Sequence, residues 1–356
     1  MWLVKTKLGV IEGFYGKPYA QNDRLDLCKF LSDNKFDFYI YAPKNASFLR
    51  NKWQERLKKE DLDEQVILSS TLNDLNLHYG FGISPLNICK DYKNLLPKLI
   101  EKCVSLAKKT HPTFIALLFD DIKIEENEGM IQNIIIKDLY EKLLPFVKNI
   151  IVCPTFYSQD PILEKVFGKM PKNYFLNLKD GLNKDISFFY TGPKVLSKDI
   201  TKDDLKEFQQ HLGSNISIWD NYPVNDGQKI CDKIYTKPFN GRSSLNNECF
   251  LHAINPMLEC SLSKISICTL KDIYLGKSDK EIQEHQNSVL NKLFLGKAEL
   301  VKPFFEILQN EGKSALTENK KAELLKILKA IDSKASLEMQ LYLQDFYKFD
   351  KACLTS

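Results

Sequence analysis

Eight short apolar segments occupy the N-terminal part of the chain, and each is followed by a polar, proline-containing or glycine-containing exit. Helix-like segments separate most of them. Apolar runs bounded by turn-forming residues are typical of strands that are buried on both faces. The segments are residues 8–11, 36–41, 79–83, 114–119, 149–153, 186–190, 216–219 and 250–254. Eight strands alternating with helices predict an α/β fold, a (β/α)8 barrel of the TIM type.

The weakest part of this prediction is the segment 226–248, in which no helical pattern is visible. A doubly wound open sheet is the alternative fold. Such sheets often carry a GxGxxG motif directly after the first strand, and this chain has none there. The barrel is therefore the favoured fold.

The C-terminal part of the chain changes in character, because amphipathic helices follow one another with no strand between them. The predicted helices are residues 280–295, 298–309, 318–331 and 336–349. We therefore predict two domains, a barrel over residues 1–275 and a helical C-terminal domain over residues 276–356. The apolar stripes of these helices fit packing against one another and the barrel, or an oligomer contact. The oligomeric state stays open.

Composition excludes several classes of protein. The 356 residues include 50 basic and 46 acidic side chains, a net charge of +4, and no dense basic stripe typical of a nucleic-acid-binding protein. No apolar run approaches the roughly 20 residues needed to span a bilayer. The N-terminus lacks the apolar core of a signal peptide. We expect a cytoplasmic protein without nucleic-acid or membrane partners.

The cysteines and histidines give no metal-binding pattern. Nine cysteines are scattered through the chain without a CxxC pair, which favours buried, reduced thiols over a disulfide framework or a zinc site. The five histidines form no HxH or HExxH motif, and His252 within the eighth strand is expected to be a core residue. No metal and no cofactor are predicted.

Two consecutive aspartates end the fourth apolar segment. Asp120 and Asp121 follow a run of buried character, where carboxylates are costly unless they are paired, hydrogen-bonded or used. One explanation is that they cap the following helix, which aspartate does well. The other is catalysis, because the carboxyl ends of barrel strands are where active sites are built.

Polar and aromatic residues also stand at or just after the ends of other strands. Each has a structural explanation of its own, as a turn former, a packing aromatic or a surface charge. Together they supply the groups of a sugar pocket, an aromatic face for the ring and rigid polar groups for hydroxyls. The candidate binding residues are Gly13, Lys44, Tyr157, Trp219, Asn221, Asp226 and Asn255.

The segments at these strand ends resemble those of glycoside hydrolase family 84, the O-GlcNAcases and related β-N-acetylglucosaminidases. The resemblance covers roughly residues 8–275 in the family order and is much weaker over the helical tail. Its motifs are GVIEGFYGKP (9–18), YIYAPK (39–44), GISP (82–85), LLFDDI (117–122), CPTFY (153–157), TGPK (191–194), IWDN (218–221), NP (255–256) and LSKISI (262–267).

The resemblance implies a retaining β-N-acetylglucosaminidase that acts on terminal β-linked GlcNAc, with O-GlcNAc on Ser/Thr of proteins as the expected substrate. In this family the 2-acetamido oxygen of the substrate attacks the anomeric carbon and forms an oxazoline, the substrate-assisted exception to the two-carboxylate rule. Asp120 would orient the acetamide N–H. Asp121 would protonate the leaving oxygen and then activate water, which requires a raised pKa.

The family pattern also implies roles in substrate binding. Gly13 would offer its backbone and Lys44 its ammonium to hydroxyls, Tyr157 would bond the acetamide, and Trp219 would wall the N-acetyl methyl. Hydroxyls and the acetamide would be bound by Asn221, Asp226 and Asn255. Two positions near the expected pocket depart from the family pattern. Phe156 stands where many relatives have Glu, and Tyr190 stands where Trp is usual.

Two other functions remain open at this stage. One is a hexosaminidase that acts on small chitin or cell-wall fragments, which needs a pocket closed around a short glycan. The other is a GlcNAc-binding protein without catalysis, which the intact pair of aspartates disfavours. The expected partner is in every case a GlcNAc-bearing protein or glycan.

Overall fold

The computed structural model describes residues 5–123, 127–213 and 215–355. The first four residues, on which the expectation about a signal peptide partly rests, lie outside this range. In the described residues, eight parallel strands form one closed barrel in chain order. They are β1 (Lys7–Glu12), β2 (Phe38–Tyr41), β3 (His78–Ile83), β4 (Phe114–Leu118), β5 (Asn149–Cys153), β6 (Ser187–Tyr190), β7 (Ile216–Asp220) and β8 (Leu251–Ile254).

Strand β8 pairs with β1 and closes the barrel, with Leu251 opposite Lys7 and Ile254 opposite Val10. The predicted (β/α)8 fold is confirmed. Most residues of the apolar runs that predicted the strands are buried in the structure, and no residue of β4 is more than 1% exposed. Each strand is covered by barrel core on one face and helices on the other, which is why the sequence shows no polar alternation.

Helices surround the barrel between most strands. They are α1 (Gln21–Asp33), α2 (Lys59–Asp74), α3 (Tyr92–Thr110), α4 (Glu128–Leu143), α5 (Pro161–Phe167), α6 (Tyr174–Lys179), α7 (Lys202–Leu212) and α8 (Cys260–Tyr274). Helices α5 and α6 were not predicted, because segments this short do not complete a recognisable apolar period. The segment between β7 and β8 forms no α-helix in its described residues, and its helical content there is the 3-10 turn Ser243–Leu245.

Four further helices follow, α9 (Asp279–Leu293), α10 (Ala298–Asn310), α11 (Glu318–Lys329) and α12 (Lys334–Leu343). Their existence matches the prediction, but the last one ends earlier than the predicted residue 349. The backbone of Asp345 is left-handed, with φ of 60°, and this conformation stops the helix. The residues that follow leave the helix axis as an irregular tail.

Helix α8 packs against both parts of the chain. Thirteen of its residues are buried, because one face covers the barrel and the other contacts the C-terminal helices. The second apolar cluster joins side chains before residue 275, such as Met257 and Leu262, to others in α10 and α12. The division of the chain at residue 275 stays a prediction, since this core includes residues from both sides of it.

Glu338 of α12 ties the C-terminal helices to the barrel. The backbone N–H groups of Ser261 and Leu262 at the start of α8 donate to its carboxylate, over distances of 2.7 to 3.1 Å. The first N–H groups of a helix have no partner within it, so this carboxylate acts as a cap supplied from another helix. Burial raises the pKa of Glu338 to about 7.

None of the helices in the described residues is both long and apolar enough to cross a bilayer.

A buried ion pair holds β1, α1 and β2 together below the cavity end of the barrel. Arg24 of α1 donates to both carboxylate oxygens of Glu12, at 2.7 and 3.1 Å. The N–H of Tyr19 and the hydroxyl of Tyr39 donate to the same carboxylate. Glu12 is fully buried and Arg24 is 2% exposed, so neither charge has water to replace its partner.

We expect Arg24→Met to lower the free energy of unfolding by about 3–5 kcal/mol, because it leaves the Glu12 charge buried without its cation. Urea unfolding followed by circular dichroism measures this change. The control is Lys334→Met, which removes the surface ion pair of Lys334 with Asp23 and should cost less than about 1 kcal/mol. Equal losses of unfolding free energy in the two variants would contradict a stabilising role for the buried ion pair.

Candidate active site

A cavity opens at the carboxyl ends of the strands. All nine residues predicted from the strand ends line it, namely Gly13, Lys44, Asp120, Asp121, Tyr157, Trp219, Asn221, Asp226 and Asn255. The barrel therefore gathers these side chains into one pocket, although 242 positions separate the first from the last.

Asp120 and Asp121 follow β4 and both face the cavity. Consecutive residues of an extended strand point to opposite faces. Here the strand has ended, and the backbone of Asp121 is left-handed with φ of 58°. This conformation is uncommon for residues other than glycine and is found disproportionately at functional sites. The turn brings two adjacent carboxylates into the same pocket.

Asp120 has one oxygen with a partner and one without. Lys44, at the exit of β2, donates to Oδ2 of Asp120, and both side chains are largely buried, at 2% and 8% exposure. Oδ1 of Asp120 is buried and has no hydrogen-bond partner. A buried acceptor without a hydrogen bond lowers the stability of a protein by about 1–3 kcal/mol. We therefore expect a ligand to donate a hydrogen bond to Oδ1.

Asp121 is held by two phenols. The hydroxyl of Tyr15 donates to Oδ2 at 2.7 Å and that of Tyr157 donates to Oδ1 at 3.2 Å. Burial and the nearby Asp120 charge raise the pKa of Asp121, while Lys44 opposes this rise. Burial and the charge of Asp121 raise the pKa of both phenols, which keeps them protonated donors.

Arg50 contacts one of these two phenols, Tyr15. Its guanidinium donates to the hydroxyl of Tyr15 at 3.2 Å and lies over the Tyr15 ring, 5.5 Å from its centroid. The hydrogen bond from Tyr15 and the charge of Arg50 both lower the pKa of Asp121, against the effect of burial. Arg50 does not line the cavity. It acts on the acid through electrostatics and through Tyr15.

The indole of Trp219 forms one wall of the pocket, and it fits there because Gly13 has no side chain. A Cβ placed on Gly13 would lie 2.3 Å from Cζ2 of the indole, closer than atoms approach. Phe189 of β6 supports the indole edge-on, at 5.3 Å between ring centroids. The ammonium of Lys44 lies 5.4 Å from the centre of the same ring. The glycine is therefore required by steric fit to the tryptophan.

Two asparagines fix the indole and the end of β1. Oδ1 of Asn221 accepts from Nε1 of Trp219 at 2.9 Å and from Nδ2 of Asn255 at 3.0 Å. Oδ1 of Asn255 accepts from the N–H of Gly13 at 3.3 Å. That N–H also donates to the carbonyl of Ile11. The backbone group that Gly13 can offer to a sugar is thus its carbonyl oxygen.

Asp226 lies in the cavity on the loop after β7. Its Oδ2 accepts from the N–H of Tyr15 at 2.8 Å. Burial raises the pKa of Asp226 to about 6, and the bond from Tyr15 limits the rise. A carboxylate has acceptor sites on both oxygens, so Asp226 suits the binding of paired hydroxyls.

A carboxylate just below the pocket is fully paired. Asp220 accepts from two nitrogens of Arg242, both at 2.9 Å, and from Nε2 of His252 at 3.0 Å. Although burial opposes it, Arg242 and His252 lower the pKa of Asp220 to about 2. Nδ1 of His252 bonds the hydroxyl of Tyr274, so His252 is a core residue with both ring nitrogens paired.

Phe156 and Tyr190, expected near the pocket, directly precede the lining residues Tyr157 and Thr191 but do not line the cavity themselves. Phe156 is buried against Tyr174, with edge-to-face rings 5.1 Å apart. Tyr190 stacks on Phe208 of α7 at 4.3 Å. Neither residue lines the cavity, and both belong to the layer between the strands and the helices.

The sequence did not reveal several residues of the site. Tyr15 lies within the motif GVIEGFYGKP, and its position two residues after Gly13 could have indicated that it belongs to the site. Arg50 sits beyond a turn, and Cys353 and Thr355 line the cavity from the far end of the chain. No group of three or more potential metal ligands is formed by the residues that the structure describes.

Comparisons with known proteins identify the family. The family model described as beta-N-acetylglucosaminidase matches residues 8–306. The Protein O-GlcNAcases of Rattus norvegicus and Mus musculus are each 28% identical to the chain over 255 residues, which is 66% of this chain. The match spans about a quarter, 26%, of each of these longer relatives.

A solved structure gives a further likeness over nearly the whole chain. It is a mutant O-GlcNAc hydrolase of Thermobaculum terrenum, with a TM-score of 0.78 and 26% identity. The alignment covers 95% of this chain and 80% of that one. With the family match over most of the chain and a barrel that carries the expected pocket, the chain belongs to the β-N-acetylglucosaminidases of glycoside hydrolase family 84.

Proposed function

We propose that this glycoside hydrolase removes terminal β-linked GlcNAc, with O-GlcNAc on Ser/Thr of proteins as its substrate, by substrate-assisted catalysis with retention. The single observation that carries the mechanism is the buried Oδ1 of Asp120, which has no partner. The acetamide N–H of GlcNAc is a donor of the right kind to bond it. The resemblance of the chain to proteins named O-GlcNAcase supports the substrate.

The first step uses both aspartates. Asp120 accepts the acetamide N–H, which orients the group and makes its carbonyl oxygen a better nucleophile. That oxygen attacks the anomeric carbon while Asp121 gives its proton to the departing oxygen. The products of this step are an oxazolinium ion, whose N–H stays hydrogen-bonded to Asp120, an alcohol and the Asp121 carboxylate. Water then opens the oxazolinium ring and gives its proton to Asp121, which acts as the base.

The pocket supports this division of roles. Asp121 has to be protonated near neutral pH, and its burial beside the Asp120 charge favours that state. Asp120 has to accept the acetamide N–H, and the Lys44 ammonium, which donates to Oδ2, leaves Oδ1 for that bond. Tyr157 donates to Oδ1 of Asp121, and its hydroxyl would turn to the acetamide oxygen of the substrate.

The remaining groups fit the sugar. The face of Trp219, edged by Gly13, offers an apolar wall for the N-acetyl methyl. Lys44, Asp226 and the carbonyl of Gly13 would bind hydroxyls. Asn221 accepts from the indole and from Asn255, so the two asparagines hold the wall in place as well as facing the sugar. We place the substrate proteins in the cytoplasm, as expected from the sequence.

Aryl β-N-acetylglucosaminides with different leaving groups test both aspartates. We expect Asp121→Asn to lower kcat/KM by roughly 10²–10⁴ on poor leaving groups, because general acid catalysis is lost. The loss should shrink for a nitrophenol, which departs without a proton. Asp120→Asn should be damaging on every substrate, since the nucleophile loses its partner in each case.

The control is Asp203→Asn, an exposed carboxylate on α7 that should leave every rate unchanged. Steady-state kinetics on a leaving-group series measures the effects. If kcat/KM of the Asp120 and Asp121 variants depended equally on the leaving group, the roles proposed for the two aspartates would be wrong. A wild type that binds GlcNAc but releases no phenol would favour a non-catalytic binding protein instead. Cleavage of chitin fragments only would favour the small-glycan hexosaminidase.

The pH profile tests the electrostatic control of Asp121. Activity requires its protonated form, so kcat/KM falls as pH rises through the pKa of this group. The Asp120 charge raises that pKa and the Arg50 charge lowers it. Asp120→Asn should therefore move the alkaline limb to lower pH, and Arg50→Met should move it to higher pH.

The profile is measured with an alkyl glycoside, for which protonation of the leaving group matters, and residual activity is normalised for each variant. Arg56→Met is the matched control, because Arg56 is exposed and lies on the same segment as Arg50. Its limb should coincide with that of the wild type. Shifts in the same direction for the two active-site variants would contradict this account.

A further inference from the structure

Two residues near the end of the described chain line the active-site cavity. They are Cys353 and Thr355, which share the cavity with Asp120 and Asp121 although more than 200 positions separate them along the chain. Cys353 is buried, with 8% exposure. We propose that the segment 346–355, called the tail, forms one wall of the mouth and determines which aglycones enter. This inference rests on the proposed function.

One side of the tail is fixed to the exits of β1 and β2. Nδ2 of Asn45, the neighbour of Lys44, donates to Oδ2 of Asp350 at 2.9 Å. The ammonium of Lys17 lies over the ring of Phe346, 4.3 Å from its centroid. The carbonyl of Lys348 comes within 3.9 Å of a Cβ position at Gly16. These contacts place the tail directly above the residues that hold the two aspartates.

The tail is also fixed to the helical domain and to the loop after β7. Tyr347 packs against both apolar clusters of the protein. Burial raises the pKa of the Cys231 thiol, on the loop between β7 and β8, and the neighbouring backbone of Phe349 opposes this rise. Ile230 of that loop lines the cavity together with Cys353. The tail therefore spans the rim from the β2 exit to the loop after β7.

A turn inside the tail decides which side chains face the cavity. Oδ1 of Asp350 accepts from the N–H of Ala352 and its carbonyl accepts from the N–H of Cys353, both at 2.9 Å. Asp side chains stabilise turns in this way. After the turn Cys353 points inward, Leu354 is 49% exposed, and Thr355 again lines the cavity. The alternation gives the wall two inner positions and one outer position.

The position of the tail limits the direction from which an aglycone approaches. In the barrel, β8, β1 and β2 are neighbours, and β4 to β6 lie across from them. The tail covers the first side, so the approach is left to the second, where Tyr157, Val195 and Leu196 line the cavity. An aglycone that is a flexible peptide or loop can enter from this side, whereas an aglycone with a broad surface would collide with the tail. Cys353 and Thr355 are thus specificity-determining residues for the aglycone.

Substitutions of opposite size at Thr355 test this inference. Thr355→Trp narrows the mouth and should lower kcat/KM on a GlcNAc-bearing peptide at least tenfold more than it lowers kcat/KM on a nitrophenyl glycoside. Thr355→Gly should raise the ratio of peptide to nitrophenyl activity by about threefold or more. Leu354→Trp is the matched control, since it adds the same bulk at the outer position and should leave the ratio unchanged.

Two further measurements keep the outcomes distinct. Thermal unfolding of each variant shows whether it is folded, and Asp350→Ala, which removes the bond to Asn45, should raise the ratio without new bulk. Calorimetric affinities for methyl β-GlcNAc and the glycopeptide give the same comparison without turnover. If no variant and no wild type hydrolysed any substrate, the proposed function would be wrong. The ratio of the affinities for glycopeptide and methyl β-GlcNAc would still test the role of the tail. Ratios that do not differ between Thr355→Trp and Leu354→Trp, in folded proteins, would overturn the inference.

Discussion

The ion pair between Lys44 and Asp120 sets the electrostatics on which the pocket depends. It occupies one oxygen of the Asp120 carboxylate while the other stays without a partner. Burial and the neighbouring Asp120 charge raise the pKa of Asp121, and Lys44 opposes this rise. The two neighbours therefore differ in what they offer a substrate: Asp120 has a free acceptor oxygen, and Asp121 has the raised pKa that the proposed acid needs.

Buried carboxylates elsewhere in the barrel show why the unpaired oxygen is informative. Glu12 accepts from Arg24 and from two tyrosine residues, and Asp220 accepts from Arg242 and His252. In both cases each oxygen has a donor, as expected for groups that serve stability. Asp120 and Glu259 each have a buried oxygen without a partner. Asp120 lines the cavity and Glu259 does not, so the oxygen of Asp120 is the one that a ligand in the cavity can reach.

The barrel and most of the pocket were predictable because both follow from local rules. Strands buried on both faces read as apolar runs, and the residues after them converge at one rim. Arg50 and Thr355 could not be placed in this way. Their positions depend on the course of a turn and of the tail over the finished barrel, which no local pattern encodes.

The helical domain acquires a role in the site through these contacts. Helix α8 shares its two faces between the barrel and the C-terminal helices, and Glu338 of α12 caps its first turn. Helix α12 is therefore fixed relative to the barrel before the chain turns at Asp345. The tail that starts there has a defined origin, and it reaches the rim at the exits of β1 and β2. Packing of the helical domain, far from the aspartates, thereby sets the position of a wall of the pocket.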